Sequence, residues 1–249
     1  PLTLLQAAGA IASPYQFHWQ RFLFEHFPKG TGFPPLTAPA ITEQLPLADV
    51  QAYSIDDSST TEIDDALSIT GLGSGQVTVG IHIAAPGLAF GPDSALDQVA
   101  RQRLSTVYMP GYKITMLPDD VVKIYTLDEG RANPAVSLYV TINEETLEIT
   151  GTETKLERVP VAVNLRHDKL DHIVTEEWLG DASITVDGTP QELQERRTEL
   201  SFMYRLARKL KAGREVARGK PETFNRPDYN FRLEGNDGGE PTGRETVSI

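Results

Sequence analysis

Apolar and polar positions alternate with a period of two in three consecutive stretches, "VQAYSID" (50–56), "DALSIT" (65–70) and "QVTVGIHIA" (76–84), which predicts strands with one face turned to a core. The glycine-rich "GLGSG" between the second and third supplies a turn. Two later runs, "AVSLYVTI" (135–142) and "LEITGTETKLERVPVAV" (147–163), predict strands joined by a hairpin at "NEET". Elsewhere the period is near 3.6. Residues 2–27 carry two helical patterns, "LTLLQAAGAIA" and "PYQFHWQRFLFEHF", parted at Ser13-Pro14, where serine suits the N-cap and proline the first helical position. Tyr15, Phe17, Trp19, Phe22, Phe24 and Phe27 recur at a spacing that predicts core packing rather than base stacking, and His18 and His26 share that reading. The segment "SALDQVARQRLSTVYMP" opens on Ser94 with Asp97 three residues on, a variant of the capping box, and predicts a helix to about Ser105. Residues 190–218 form the longest helical pattern, with Leu193, Leu200, Tyr204 and Leu210 among its apolar positions.

Between these elements, "PKGTGFPPLTAPAITEQLP" (28–46) holds five prolines and two glycines and reads as an extended linker. The expected fold is therefore α+β: a small N-terminal helical unit with its linker over 1–45, then a mixed-sheet domain with flanking helices over 46–249. The tail from Arg232 reads as a hairpin whose second strand, "GRETVSI", is entered and not finished, which together with Pro1 at the start implies a longer polypeptide.

Composition narrows the chemistry. With 35 acidic against 23 basic residues the net charge is −12, which repels nucleic acid on average, so a phosphate-bearing partner needs metal ions or a locally basic face. The helix pattern at 190–218 is the most basic element, carrying Arg196, Arg197, Arg205, Arg208, Lys209, Lys211, Arg214 and Arg218. The absence of cysteine excludes disulfides, thiol catalysis and cysteine-bound zinc. No apolar run approaches the roughly 20 residues of a membrane span and no signal-peptide pattern opens the chain, so a soluble cytoplasmic protein is expected.

One stretch stands apart. "YSIDDSSTTEIDDALSIT" sets Asp56, Asp57, Glu62, Asp64 and Asp65 within ten positions between two strand patterns. Carboxylates crowded against a packed sheet repel one another unless a cation neutralises them. An EF-hand loop counted from Asp56 fails, because its sixth position is Thr61 rather than Gly and its twelfth is Leu67 rather than Glu. Oxygen-only donors suit Mg²⁺ or Mn²⁺, and such ions held by carboxylates can in turn hold a phosphodiester and ionise a water.

Three ordered blocks, "SIDDSSTTEIDDALSI", "VGIHIA" and "SALDQVARQRLSTVYMPGYKITMLP", resemble the catalytic domain of the ribonuclease II / ribonuclease R (RNB) family of 3′ to 5′ exoribonucleases. The resemblance covers residues 50–140 well and extends faintly over 190–235 through "ARGKPETFNRPDYNFRL". It implies that Asp56, Asp64 and Asp65 are magnesium-binding and catalytic, that Glu62 joins them where the family usually has Asp, and that Tyr108 stacks on a base near the RNA 3′ end. The implied activity is hydrolysis of single-stranded RNA to 5′-nucleoside monophosphates with Mg²⁺, or Mn²⁺, as cofactor; the oligomeric state stays open, a monomer among the alternatives. A Glu-Glu helix and a phosphate-gripping arginine segment are expected outside this chain, on the same or a second polypeptide. The sequence also departs from the pattern: Ala85 stands in "HIAAPG" for an Asp, and His167 falls where relatives place a tyrosine. These departures keep a second function open, an inactive RNA-binding or assembly subunit.

Overall fold

The computed structural model describes residues 1–37, 40–58, 60–109, 112–222, 229–234 and 243–248, with the backbone alone at 109 and in the last two stretches. In chain order the elements are α1 (Leu2–Ala7), α2 (Pro14–His26), β1 (Ala52–Asp56), β2 (Asp65–Thr70), β3 (Gln76–Ala84), α3 (Ala95–Arg103), β4 (Val107–Met109), β5 (Tyr112–Ile114), α4 (Asp119–Tyr125), β6 (Ala132–Asn143), β7 (Ile149–Arg166), α5 (His167–Leu170), α6 (Glu176–Gly180), α7 (Gln191–Glu195), α8 (Arg197–Arg218), β8 (Tyr229–Glu234) and β9 (Gly243–Ser248). They sort into two units, one of residues 1–37, 92–118 and 224–249 and one of 38–91 and 119–223.

The larger unit is a closed five-stranded barrel in the order β1-β2-β3-β6-β7. Its ladders are antiparallel except the closure, where β1 runs parallel to β7 with Ala52 opposite Val161 and Asp56 opposite Arg166. The expected mixed sheet is thus present, and its closure leaves neither of its outer strands unpaired. A barrel this narrow accommodates only small inward side chains along most of its length. The alternation of β3 meets that demand by sending Val77 and Val79 outward, against Phe202 and Leu206 of α8, and Gly80 and His82 inward. A Cβ on Gly80 would lie 2.4 Å from Ser68 Oγ and 2.7 Å from His82 Nε2, so glycine is required there for space.

Inside, His82 is fully buried and both ring nitrogens are occupied, Nε2 by Ser68 Oγ and Nδ1 by Ser137 Oγ, each at 2.8 Å. The ring meets Tyr139 edge-on at 5.6 Å, and the Tyr139 hydroxyl donates to buried Glu157 at 2.7 Å. Burial pushes the His82 imidazole down to about 4, so it is neutral at pH 7.

Outside the barrel, Trp178 of α6 packs with Tyr53, Val163, Leu165 and Leu193. Arg197 is buried against the Trp178 ring at 4.4 Å and donates to the carbonyls of Trp178, Asp181 and Ile184, a cation at the end of α6 where the helix dipole favours one. The pattern at 190–218 is therefore two helices rather than one, broken at Arg196, because Arg197 is drawn to these carbonyls.

In the smaller unit Ser13 caps α2, accepting from Gln16 N at 3.1 Å, and Ser94 caps α3, accepting from Asp97 N at 3.2 Å. Helix α1 stops at Ala7, short of the predicted Ala12, at Gly9 with φ +72°. Among the described residues the expected aromatic core is not found: neither α1 nor α2 buries a residue, and Tyr15 and Phe24 are 43% and 80% exposed. Trp19 instead stacks on Phe22 and meets Tyr112 of β5 edge-on at 5.3 Å. Arg103, pressed on the Phe33 ring at 3.7 Å, gathers Thr31, Gly32 and Thr115 by their carbonyls. The β8–β9 hairpin is antiparallel as expected, while its turn and residues 223–228 of the faint motif lie outside the described residues.

Candidate functional site

Strand directions bring the acidic stretch to one rim of the barrel. Asp56 ends β1, Asp65 begins β2, and Asp64 just before it accepts at its carbonyl from the N–H of Ala84, the last residue of β3, at 2.8 Å. The parallel partner of β1 ends at the same rim, placing Arg166 opposite Asp56. Between Asp56 and Asp64 the chain is pinned by Ile63, a fully buried residue whose N–H donates to Thr126 Oγ1 at 2.7 Å and whose carbonyl accepts from Leu127 N at 2.9 Å. Burying Ile63 in the core fixes where the flanking Glu62 and Asp64 emerge.

Asp56 is oriented by a relay. Leu127 O accepts from Asn164 Nδ2 at 3.0 Å, the same nitrogen donates to Ser54 Oγ at 2.8 Å, and Ser54 Oγ donates to Asp56 Oδ2 at 2.5 Å. Arg166 Nη1 donates to the carbonyls of Asp57 and Thr60 at 2.8 and 3.3 Å, tying down the loop that leaves β1. His167 Nε2 stands 3.5 Å from Asp57 Oδ2, and Ser58 donates to Asp168.

The electrostatics are those of a site short of positive charge. Desolvation raises the Asp64 carboxyl above its ordinary value, and Glu62, Asp65 and Asp56 raise it further. Asp56 is also raised, by burial first, although the Ser54 hydrogen bond and Arg166 act against it and Asp65 adds to the rise. The four carboxylates assigned from the sequence thus act on one another through space. Among the described residues, however, no three carboxylate or imidazole side chains converge closely enough to hold one ion. Successive residues of extended chain leave on opposite sides, which works against closing Asp64 and Asp65 on a single point. Asp56, Glu62, Asp64 and Asp65 offer oxygen donors alone, the ligand type that hard divalent cations take.

Tyr108 belongs to the other unit, on β4 opposite Lys113, with 69% of its surface exposed. Ala85, where the pattern has Asp, is buried just ahead of the turn that Pro86 opens and contributes no carboxylate. Sequence reasoning missed Arg166, Ser54 and Asn164 as parts of this rim. The signal was the inward polar residues of two strands, readable only once β1 and β7 are known to pair.

The RNB domain family model matches residues 45–246. The chain is similar to Exoribonuclease 2 of Vibrio parahaemolyticus, with 30% identity over 194 residues, covering 77% of this chain and 27% of that protein. It is also 37% identical over 103 residues, 41% of its length and 16% of the relative's, to an uncharacterized ribonuclease of Synechocystis. The chain therefore spans about a quarter of the length of the first curated relatives. Among solved structures, an active-site mutant of the Dss1 exoribonuclease from Candida glabrata superposes with a TM-score of 0.70 at 20% identity, over 86% of this chain and 28% of that one. Mycoplasma genitalium RNase R in complex with double-stranded RNA gives 0.64 at 14% identity, over 91% and 37%. Among the described residues no helix is long and apolar enough to cross a membrane.

Proposed function

Because the chain belongs to the RNB family, we propose that it forms the first part of a divalent-metal-dependent exoribonuclease domain that hydrolyses single-stranded RNA from the 3′ end and releases 5′-nucleoside monophosphates. The observation that carries this reading is the barrel rim, where Glu62, Asp65 and Asp56 all raise the carboxyl of Asp64. Mg²⁺ or Mn²⁺ bound there would neutralise charge at the scissile phosphate and lower the pKa of a bound water, so that hydroxide forms as the nucleophile. The protein's own part is positional. Asp64, its carboxyl raised by burial and by three neighbouring carboxylates, would hold the cation together with Asp56, which the Ser54–Asn164 relay orients, and Asp65 would add to the negative rim. Glu62 is one methylene longer than the usual Asp, so it would keep the charge at the rim while displacing its carboxylate by about one methylene. Arg166 holds the loop 57–60 and offsets part of the charge on Asp56. Tyr108 offers an open ring for stacking on a terminal base, a contact worth about 1 to 3 kcal/mol.

The test uses the longest natural polypeptide carrying these residues and 5′-labelled single-stranded RNA with Mg²⁺, Mn²⁺ or chelator. A metal-dependent ladder shortening from the 3′ end is expected, and Asp64→Asn should slow it by at least about 10²-fold. Cleavage insensitive to chelator and to Asp64→Asn would overturn the assignment. A second reading, RNA binding without turnover, is favoured by the absence of three converging ligands among the described residues. Tight binding with no ladder in any metal would select it.

A further inference from the structure

Basic residues are spread unevenly over this acidic chain. Residues 205–220, "RLARKLKAGREVARGK", hold seven of its 23 Lys and Arg and a single Glu. Most of this stretch is the second half of α8, and no side chain of that helix is buried beyond Leu206. The helix thus leaves the barrel wall it packs on and continues for about three turns with no side chain buried. Such a limb has too little packing to need its sequence for stability.

Its cations divide into two groups. Arg205 and Lys209 turn back to the β6–β7 hairpin, donating to the carbonyls of Glu144 and Thr146. Arg208, Lys211, Arg214 and Arg218 follow one another at intervals of three, three and four, so they share one side of the helix over about 15 Å. The side chains of Arg208, Arg214 and Arg218 are 66%, 52% and 54% exposed. Lys211 has no carboxylate within 4.0 Å among the described residues.

A helix face kept polar only for solubility mixes both signs at i, i+4 spacing. This face carries one acid of the helix itself, Glu215, four residues after Lys211, against its four cations. Two acids reach it from outside the helix: Glu176, 3.7 Å from Arg208, and Glu222, with its carboxylate 3.0 Å from Arg214 and 3.5 Å from Arg218. The backbone N–H of Glu222 donates to Glu215 Oε1 at 2.9 Å, which folds the chain back over the helix end. A two-oxygen anion shared by two guanidinium groups is the arrangement a phosphodiester adopts with arginine.

We propose that this side of α8 is a sequence-independent track for the phosphate backbone of an RNA strand, and that Glu222 occupies the place of one phosphate until RNA displaces it. The identity of the polyanion as RNA rests on the exoribonuclease reading; the four-cation side and its carboxylate stand-in specify a polyanion by themselves. About four backbone charges match the 15 Å span at 3.4 Å per nucleotide rise.

The experiment measures anisotropy of a labelled oligoribonucleotide in chelator, so that nothing is cleaved, across a salt series. The triple variant Lys211→Gln, Arg214→Gln, Arg218→Gln should bind about tenfold more weakly at low salt, and its slope of log Kobs against log salt should shrink by about 2, at about 0.7 per phosphate contact on a single strand. Glu222→Gln should tighten binding by a few fold. Unchanged affinity and slope in the triple variant, with its circular-dichroism spectrum intact, would overturn the track and leave the nuclease reading standing. A fall in binding by the triple variant, in a protein that gives no ladder in any metal, supports the track and removes the nuclease reading.

Discussion

The barrel holds two sets of polar groups only a few strand positions apart, and they are built on opposite terms. In the interior, Ser68, His82 and Ser137 satisfy one another completely, with both imidazole nitrogens bonded and the ring kept neutral by burial. At the rim, Asp56 and Asp64 are partly desolvated among like charges, and both carboxyls are raised as a result. A satisfied network rigidifies a core, whereas an unsatisfied one stores a demand that something else must meet. The contrast separates scaffold from site without reference to any relative.

Acid should break the interior set most. Because the His82 imidazole is depressed to about 4 against an ordinary value near 6.5, the unfolded chain binds the extra proton first, so stability is full above pH 6.5 and falls as pH drops toward 4. The loss amounts to about 3 kcal/mol and should appear in urea melts across that window, and a variant His82→Phe should lack this part of the pH dependence. A flat profile for the wild type between pH 6.5 and 4 would contradict a buried neutral ring.

Gly80→Ala sharpens the same point by space alone. Its new methyl would collide with Ser68 Oγ and His82 Nε2, both immobilised, and overpacking of this kind costs about 2 kcal/mol. Chemical denaturation should show a lower midpoint with an unchanged slope.

The rim should respond in the opposite direction. The carboxyl of Asp64 is raised, so ionising it costs stability in full above that raised value, and the cost declines as pH falls through it and is gone below the ordinary carboxylate value. Without divalent cation, Asp64→Asn should therefore melt a few degrees higher than wild type at pH 7, and Mg²⁺ should stabilise the wild type more than the variant. A lower melting temperature would mean that Asp64 is structural, satisfied in a way its surroundings do not indicate.

Much of this architecture is legible in the sequence because local period sets it: β2 and β3 fall on "DALSIT" and "QVTVGIHIA", and Ser13 and Ser94 cap the helices they precede. The acidic stretch is also legible as residues of one kind in one place. What the sequence withholds is long-range. Nothing local says that β1 runs parallel to β7, so Arg166 and Asn164 could not be assigned to Asp56. His82 passes for one more strand position in "VTVGIHIA", since alternation records which face a side chain takes but not whether that face is wide enough for it. The aromatic run of α2 misleads for the converse reason: helical spacing predicts a common side, and burial depends on whether anything is there to cover it.

The parallel seam between the first and last strands of the barrel also sets a schedule for synthesis. Asn164 emerges 110 residues after Ser54, so at about 5 to 20 residues per second the aspartate at the end of β1 waits roughly 5 to 20 s for the strand that orients it. A nascent chain caught in that interval carries the acidic loop unclamped by Arg166, and its rim takes its final order only when the ring is zipped shut.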